Sequence, residues 1–375
     1  MMSFLLVASY PESVVRFRGE LIGSLVEAGV VVHIAAPGLS GCAEVVEHFS
    51  HKCVVLHDIP LSRTGTNPVY DFITLLALIK LVIRVRPDMV MGYTVKPVIY
   101  GLIAAKFLGV PRAYALITGL GYAFQELESR RVKFGLQVLV RWLYSISLAH
   151  AYKVFFQNPD DQALFYELGL LKRDALSCVV NGSGVSLGRY AFSSIPRQAR
   201  FTLIARLLGD KGIREYVSAA RIVRGAYPSV QFDIVGWIDD NPDAISRSEL
   251  DSWVDEGVVN FLGKLADVRP AIEKCSVYVL PSYREGTPRT VLEAMAMGRP
   301  IITTDAPGCR ETVIDGENGF LVPVKSVDAL VEAMTRFIED PGLAVRMGKR
   351  SREIAEDKYD VHKVNAVMLK EMGIQ

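Results

Sequence analysis

The chain has 375 residues, half of them hydrophobic, and sets 42 Lys and Arg against 41 Asp and Glu for a net charge of +1. At about 150 residues per domain this is material for two domains, and the near-neutral balance excludes a dedicated nucleic-acid binder and a disordered chain. Mean hydropathy is high at +0.25, yet the longest apolar candidate, Phe72–Val85, is broken by Lys80 and Arg84 and falls short of the roughly 20 residues a membrane span needs.

In chain order, Ser3–Ser9 lacks a preceding basic stretch and reads as a buried strand rather than a signal peptide. The pattern then predicts a helix over Val14–Ala28 closed by Gly29, and a strand over Val30–Ala35. A helix over Ile73–Arg86 follows, then a strand at Asp88–Met91. A helix over Pro97–Leu108 ends at Gly109, before a strand at Ala113–Ile117. The cluster His48, His51, Cys53 and His57 fits no zinc template, so no metal site is expected. Five widely spaced cysteines without a C-x-x-C pair suit buried thiols in a reducing cytoplasm.

Neutrality conceals an asymmetry. Between Phe72 and Lys153 eleven Lys and Arg meet three acids, a local charge of +8, which leaves −7 elsewhere. This is either a set of solvated helix faces or, interleaved with Phe134, Leu136, Val138, Trp142 and Leu143, a surface facing an anionic membrane.

The second half repeats the alternation, with strands at Phe201–Ala205, Gln231–Val235, Val259–Leu262, Ser276–Leu280, Pro300–Thr304 and Phe320–Val322, and a helix at Gly212–Arg224. Continuous apolar strands between helices imply parallel sheets covered on both faces. The expected fold is therefore α/β: two Rossmann-like, doubly wound parallel-sheet domains facing a central cleft where the strand C-termini meet. The Gly- and Ser-rich run Asn181–Gly188, continuing to Pro196, marks the junction. The expected division is a first domain over 1–185, a linker over 186–198, a second domain over 199–355, and a C-terminal helix over 356–375 able to return to the first. Neither half carries G-x-G-x-x-G, so a nicotinamide cofactor is not favoured.

The segment Pro281–Glu293 concentrates the chemistry. A strand ends there and a helix begins, with Thr287 as the expected N-cap and Pro288 as its first residue. Such a junction aims free N–H groups and the positive end of the helix dipole at an anion, typically phosphate. Glu285 and Glu293 bracket it. Carboxylates beside phosphate suit sugar hydroxyls; the plainer alternative is a capped helix with two surface glutamates.

The spacing Glu-x7-Glu followed by Ala294–Pro300 closely resembles the signature of glycosyltransferase family 4, the retaining enzymes of the GT-B fold. Ile204–Gly212, Asp305–Glu311 and Asp315–Phe320 follow in that family's order. In the first half, Tyr93–Gly101 and Ile117–Phe124 resemble a bacterial subgroup acting on polyprenyl-diphosphate-linked glycans, N-acetylhexosaminyltransferases among them. The resemblance implies that Arg206 and Lys211 neutralise the nucleotide diphosphate without a metal. It gives Glu285 the donor-sugar hydroxyls, Glu293 the ribose hydroxyls, and Gly286 and Thr287 backbone donors. Gly263 would let the base approach. For the acceptor it points to Lys96 as a diphosphate contact, with a strand-capping lysine as the alternative. Thr118 stands where many members carry a histidine, and no histidine occurs between His57 and His150. Arg16, in the loop after the first strand, would contact phosphate, whereas Arg18 could be a helix-surface cation.

The implied activity is retaining transfer of an N-acetylhexosamine, or its 6-deoxy form, from a UDP-sugar to a lipid-linked saccharide in O-antigen, capsule or glycoprotein glycan synthesis. The expected place is the inner face of the cytoplasmic membrane, with no cofactor and no nucleic acid. A glycosidase using Glu285 and Glu293 is disfavoured by the phosphate context. A GT-B nucleotide-sugar 2-epimerase and a non-catalytic nucleotide-sugar-binding subunit remain as alternatives.

Overall fold

A computed structural model describes residues 2–50, 53–62, 67–119, 132–239, 241 and 243–374. The chain divides into two units, Met1–Ser183 with Asn365–Gln375, and Gly184–Val364.

The first unit runs β1 (Ser3–Val7), α1 (Pro11–Glu27), β2 (Val31–Ala36), α2 (Ala43–Phe49), β3 (Val54–Asp58), α3 (Pro68–Val85), β4 (Met89–Tyr93), α4 (Val95–Phe107), β5 (Arg112–Ile117), α5 (Val132–Leu148), β6 (Lys153–Phe156), α6 (Pro159–Glu167) and β7 (Ser177–Val179). Its seven strands form one sheet ordered β3-β2-β1-β4-β5-β6-β7, and every pairing is parallel. The nearly continuous apolar strands Phe4–Val7 and Met89–Met91 are buried on both faces, as a helix-covered parallel sheet requires.

The last helix, α13 (Val361–Met372), sends its C-terminal part onto this sheet. Met368, Met372 and Ile374 join the core around Tyr114 and Phe155. Lys153 pairs with Glu371 at 2.6 Å, and Tyr114 Oη donates to the Met372 carbonyl.

The second unit runs β8 (Arg200–Ile204), α7 (Ile213–Ala226), β9 (Gln231–Val235), α8 (Arg247–Asp255), β10 (Asn260–Phe261), α9 (Arg269–Lys274), β11 (Val277–Leu280), α10 (Arg289–Ala296), β12 (Ile301–Thr304), β13 (Gly319–Val322), α11 (Val327–Glu339) and α12 (Pro341–Lys358). Its sheet is also parallel, ordered β10-β9-β8-β11-β12-β13. The chain adds strands outward from β8 through β10 and then crosses back to lay β11 against β8. That reversal opens a crevice beyond the C-terminal ends of β8 and β11, where ligands bind in doubly wound sheets.

Residues 186–198, expected as a linker, are anchored in the second unit. The fully buried Arg299 guanidinium donates to the Ser193 carbonyl at 2.8 Å and to Ser193 Oγ at 2.6 Å. It also donates to the carbonyls of Ile272, Glu273 and Met297. A guanidinium offers five donors, so one side chain ties Ser193 to the carbonyls at the ends of α9 and α10. Helix α10 begins at Arg289, with Pro288 in extended conformation as the cap and no side-chain cap bond. The expected start at Pro288, capped by Thr287, therefore shifts by one residue.

Cys275 and Cys309 are buried, whereas Cys53 is exposed, so only part of the buried-thiol expectation holds. No helix among the described residues is long and apolar enough to cross a membrane.

Candidate active site

The crevice of the second unit is built by the turns after β8 and β11. After β8 the chain passes Arg206, makes a single 3-10 turn at Gly209–Lys211, and enters α7 through Gly212. Gly212 sits at φ 69°, and a Cβ there would run into the Pro281 carbonyl, so only glycine lets the Lys211 turn lie against the end of β11. Tyr283 N donates to the Asp210 carbonyl at 2.9 Å and joins the two turns. Gly308, at φ 80°, likewise leaves room for the backbone of Glu285 and Gly286.

Across this junction Lys211 Nζ meets Glu285 Oε1 at 2.6 Å, both side chains being largely buried. Burial works to lower the Lys211 pKa, but the Glu285 and Asp210 carboxylates outweigh it and hold the ammonium above the usual lysine value. Ser282 Oγ, fully buried, donates to the same Glu285 oxygen at 2.8 Å. The Ser282 carbonyl in turn accepts from Thr304 Oγ1 and Cys309 Sγ. Arg206 pairs with Asp239 at 2.9 Å and is close enough to act on the Lys211 charge.

Helix α10 is tied to the end of β8 by Thr290 Oγ1, which donates to the Ile204 carbonyl. Glu293, 6% exposed, accepts from Arg289 Nε at 2.9 Å and bonds the Tyr190 hydroxyl. Burial first, and then Glu293, raise the Tyr190 pKa. Neither glutamate is a surface residue, which removes the plainer reading of the motif. Gly286 is buried, and Thr287 is half-buried at the mouth of the loop. Gly263, at φ 71°, has open space around its Cα and accepts from Gly236 N at 2.9 Å. The structure thus gathers Arg206, Lys211, Glu285, Gly286, Thr287 and Glu293 along one sheet edge, with Gly263 after β10.

Three supporting residues escaped sequence reasoning. Asp239, three residues beyond Gly236, holds Arg206. Ser282 orients Glu285. Tyr190 lies in the stretch expected as linker and reaches Glu293. Only Ser282, inside the recognised motif, carried any local signal.

The first unit has its own reversal, between β1 and β4. Ser9 and Thr94 share a hydrogen bond of 2.9 Å there. Thr94 has φ 68° and ψ 165°, a region nearly reserved for glycine and costing a threonine about 1–3 kcal/mol. Burial pushes the Tyr93 phenol up to about 12. Lys96 pairs with Asp71 at 2.6 Å, both mostly buried, so it is not a simple strand-capping lysine. Thr118 is half-buried directly after β5. Arg16 lies on the outward side of α1, paired with Glu44 at 3.5 Å. Arg18, read as a surface cation, is instead 2% exposed, its guanidinium 5.3 Å from the Tyr93 ring centre. Residues 120–124 of the Ile117–Phe124 motif, together with Arg130 and Arg131, lie outside the described residues, as does the Lys133 side chain.

The family described as "Glycosyl transferase 4-like domain" matches residues 14–182, and "Glycosyl transferases group 1" matches residues 198–340. The N,N'-diacetylbacillosaminyl-diphospho-undecaprenol alpha-1,3-N-acetylgalactosaminyltransferase of Campylobacter jejuni is 27% identical over 92% of this chain and 91% of its own. An Escherichia coli UDP-Gal:alpha-D-GlcNAc-diphosphoundecaprenol alpha-1,3-galactosyltransferase is 26% identical over 81% of this chain and 80% of its own. Among solved structures, sucrose-phosphate synthase from Thermosynechococcus elongatus superposes with a TM-score of 0.81 at 20% identity, covering 99% of this chain and 98% of its own. The Anabaena protein Alr3699/HepE, in complex with UDP and glucose, reaches 0.79 at 17% identity over the whole of both chains.

Two doubly wound parallel-sheet units of this kind define the GT-B fold. The chain belongs to the group 1, family 4 glycosyltransferases and is a hexosyltransferase.

Proposed function

We propose that this enzyme moves an N-acetylhexosamine, or its 6-deoxy form, from a UDP-sugar to a hydroxyl of a polyprenyl-diphosphate-linked saccharide in cell-surface glycan synthesis. The observation that carries the reading is the Lys211–Glu285 pair at the β8/β11 reversal, with Arg206 beside it. The Campylobacter and E. coli relatives, both named for undecaprenol-diphosphate-linked sugars, support the acceptor class.

In this mechanism Arg206 and Lys211 hold the donor diphosphate. A fixed guanidinium and ammonium neutralise the charge that grows on the leaving phosphate, and no divalent ion is required. Lys211 has three N–H donors, so it can keep Glu285 and gain a phosphate oxygen. Glu285, steadied by Ser282, accepts from donor-sugar hydroxyls, while Glu293 accepts from the ribose. The amides of Gly286 and Thr287 complete the anion site, and Gly263 leaves space for the base. The C1–O bond to the β-phosphate breaks as the acceptor oxygen bonds to C1 on the same face. The acceptor proton passes to the departing phosphate oxygen, so configuration is retained without a protein nucleophile. In the first unit Lys96 would receive the acceptor diphosphate and Thr118 the acceptor sugar. Arg16 would meet phosphate only after leaving Glu44. The basic stretch Phe72–Lys153 would hold the enzyme at the inner face of the cytoplasmic membrane.

Radiolabelled UDP-N-acetylhexosamines, incubated with and without an undecaprenyl-diphosphate-linked saccharide, test the reading. Label should enter the lipid fraction only with acceptor present. Free sugar formed without acceptor would mean an epimerase, and donor binding without turnover a non-catalytic subunit.

A further inference from the structure

Helix α3 is apolar on two opposite sides. Asn67 caps it, accepting from Val69 N at 3.0 Å, and Pro68 starts it. Thr74, Leu78, Leu81 and Val82 face the core. Val69, Phe72, Ile73, Leu76 and Ile83 are all exposed, Val69 at 67% and Phe72 at 59%. At about 100° per residue these five fall within an arc of about 100°, opposite the buried side. A helix apolar all round belongs inside a protein or against lipid, and among the described residues these five side chains stay exposed.

The stripe is flanked. Helix α4 packs against both α3 and α5, and α5 exposes Trp142 at 58%. Toward the C-terminal end of α3 the same side carries exposed Lys80 and Arg84, followed by Arg86. The exposed side of α3 beyond Phe72 carries no acid. Asp71 points inward to Lys96. Apolar side chains with cations beside them match an anionic lipid surface: the chains enter the acyl boundary while the cations meet phosphates. Three charged residues within the helix, Asp71, Lys80 and Arg84, keep it from spanning.

We propose that α3 and α5 insert shallowly into an anionic bilayer, with Val69, Phe72, Ile73, Leu76 and Trp142 as the inserted side chains. This rests on the membrane-docking reading above and goes beyond it, because docking through charge alone needs no insertion. Phe72 adjoins Asp71, so the inserted edge borders the lysine assigned to the acceptor diphosphate.

The full chain is mixed with vesicles of phosphatidylglycerol and phosphatidylcholine in equal parts, with partition measured by co-flotation. Phe72→Ser, Ile73→Ser and Leu76→Ser combined should weaken partition at least tenfold while the melting temperature stays at the wild-type value. In the unmodified protein, lipids brominated near the headgroup should quench fluorescence, and Trp142→Phe should remove that quenching. If Lys80→Gln with Arg84→Gln abolishes partition while the serine variant partitions normally and Trp142 is not quenched, insertion is overturned and electrostatic docking stands. If the full chain does not partition at all, both readings fall. A dimer in sedimentation that the serine variant dissolves, without partition, would assign the stripe to a second copy of the chain and overturn the proposal.

Discussion

Lys211 and Glu285 lie 74 residues apart in sequence and 2.6 Å apart in space, joined across the reversal between β8 and β11. Both side chains of the pair are largely enclosed. Because the Lys211 pKa is raised, its ammonium persists through the neutral range, as the proposed diphosphate contact requires.

Removing that charge tests the phosphate assignment. Lys211→Ala should cost about 2 kcal/mol or more of transition-state stabilisation, about 30-fold in kcat/KM. Near-normal turnover would take Lys211 out of the diphosphate site.

Gly308 tests the backbone of the Glu285 loop. A Cβ at φ 80° both strains the main chain and collides with the Glu285 carbonyl. Gly308→Ala should cost about 1–3 kcal/mol of stability and weaken donor binding, read as a lower melting temperature and a raised donor KM. A wild-type KM would mean that the loop tolerates displacement.

Tyr190 tests the support of Glu293. Tyr190→Phe deletes one hydrogen bond to a buried carboxylate, worth about 1.5–3 kcal/mol. Donor KM should rise about tenfold or more. Arg289 remains to hold Glu293, so the fold should persist. An equal loss with donors lacking the ribose hydroxyls would show that Tyr190 serves the fold rather than the ribose contact.

His33 Nδ1 and His57 Nε2 share a hydrogen bond of 3.0 Å between β2 and β3. Burial lowers both pKa values from 6.5, and for His57 the charges of His33 and Arg84 add to it. Below pH 6.5 the unfolded chain therefore binds protons that the folded chain resists, so stability falls as pH falls. Above that pH both states are neutral at these sites and the contribution is flat. Melting temperature should drop between pH 7 and pH 5, and His57→Gln should shallow that slope; an identical slope would place the titration elsewhere.

Much of this protein is written locally. Strands such as Phe4–Val7 and Val277–Leu280 are hydrophobic without interruption, because both faces of a parallel sheet are covered, and that signal survives in a short window. The strand-to-glycine-to-helix passage at Pro281–Glu293 is likewise local, since the turn and the helix start are set by neighbouring residues. The short edge strand Ser177–Val179 and the strand Val54–Asp58 left weaker traces, because an edge strand need not be buried on both sides.

The amino-acid sequence by itself determined two α/β halves and the spacing of the glutamate pair, with Arg206 and Lys211 in the turn after the first strand of the second half. Only the tertiary structure decided which strands are neighbours, and with them the partners: Asp239 for Arg206, Ser282 and Lys211 for Glu285, Tyr190 for Glu293, Asp71 for Lys96. It also decided that Arg18 turns inward and that α3 keeps an apolar stripe outside. The physical reason is range. Helix and strand periodicity arises from residues a few positions apart, whereas ion pairing and burial depend on chain reversals that bring together segments dozens of residues distant.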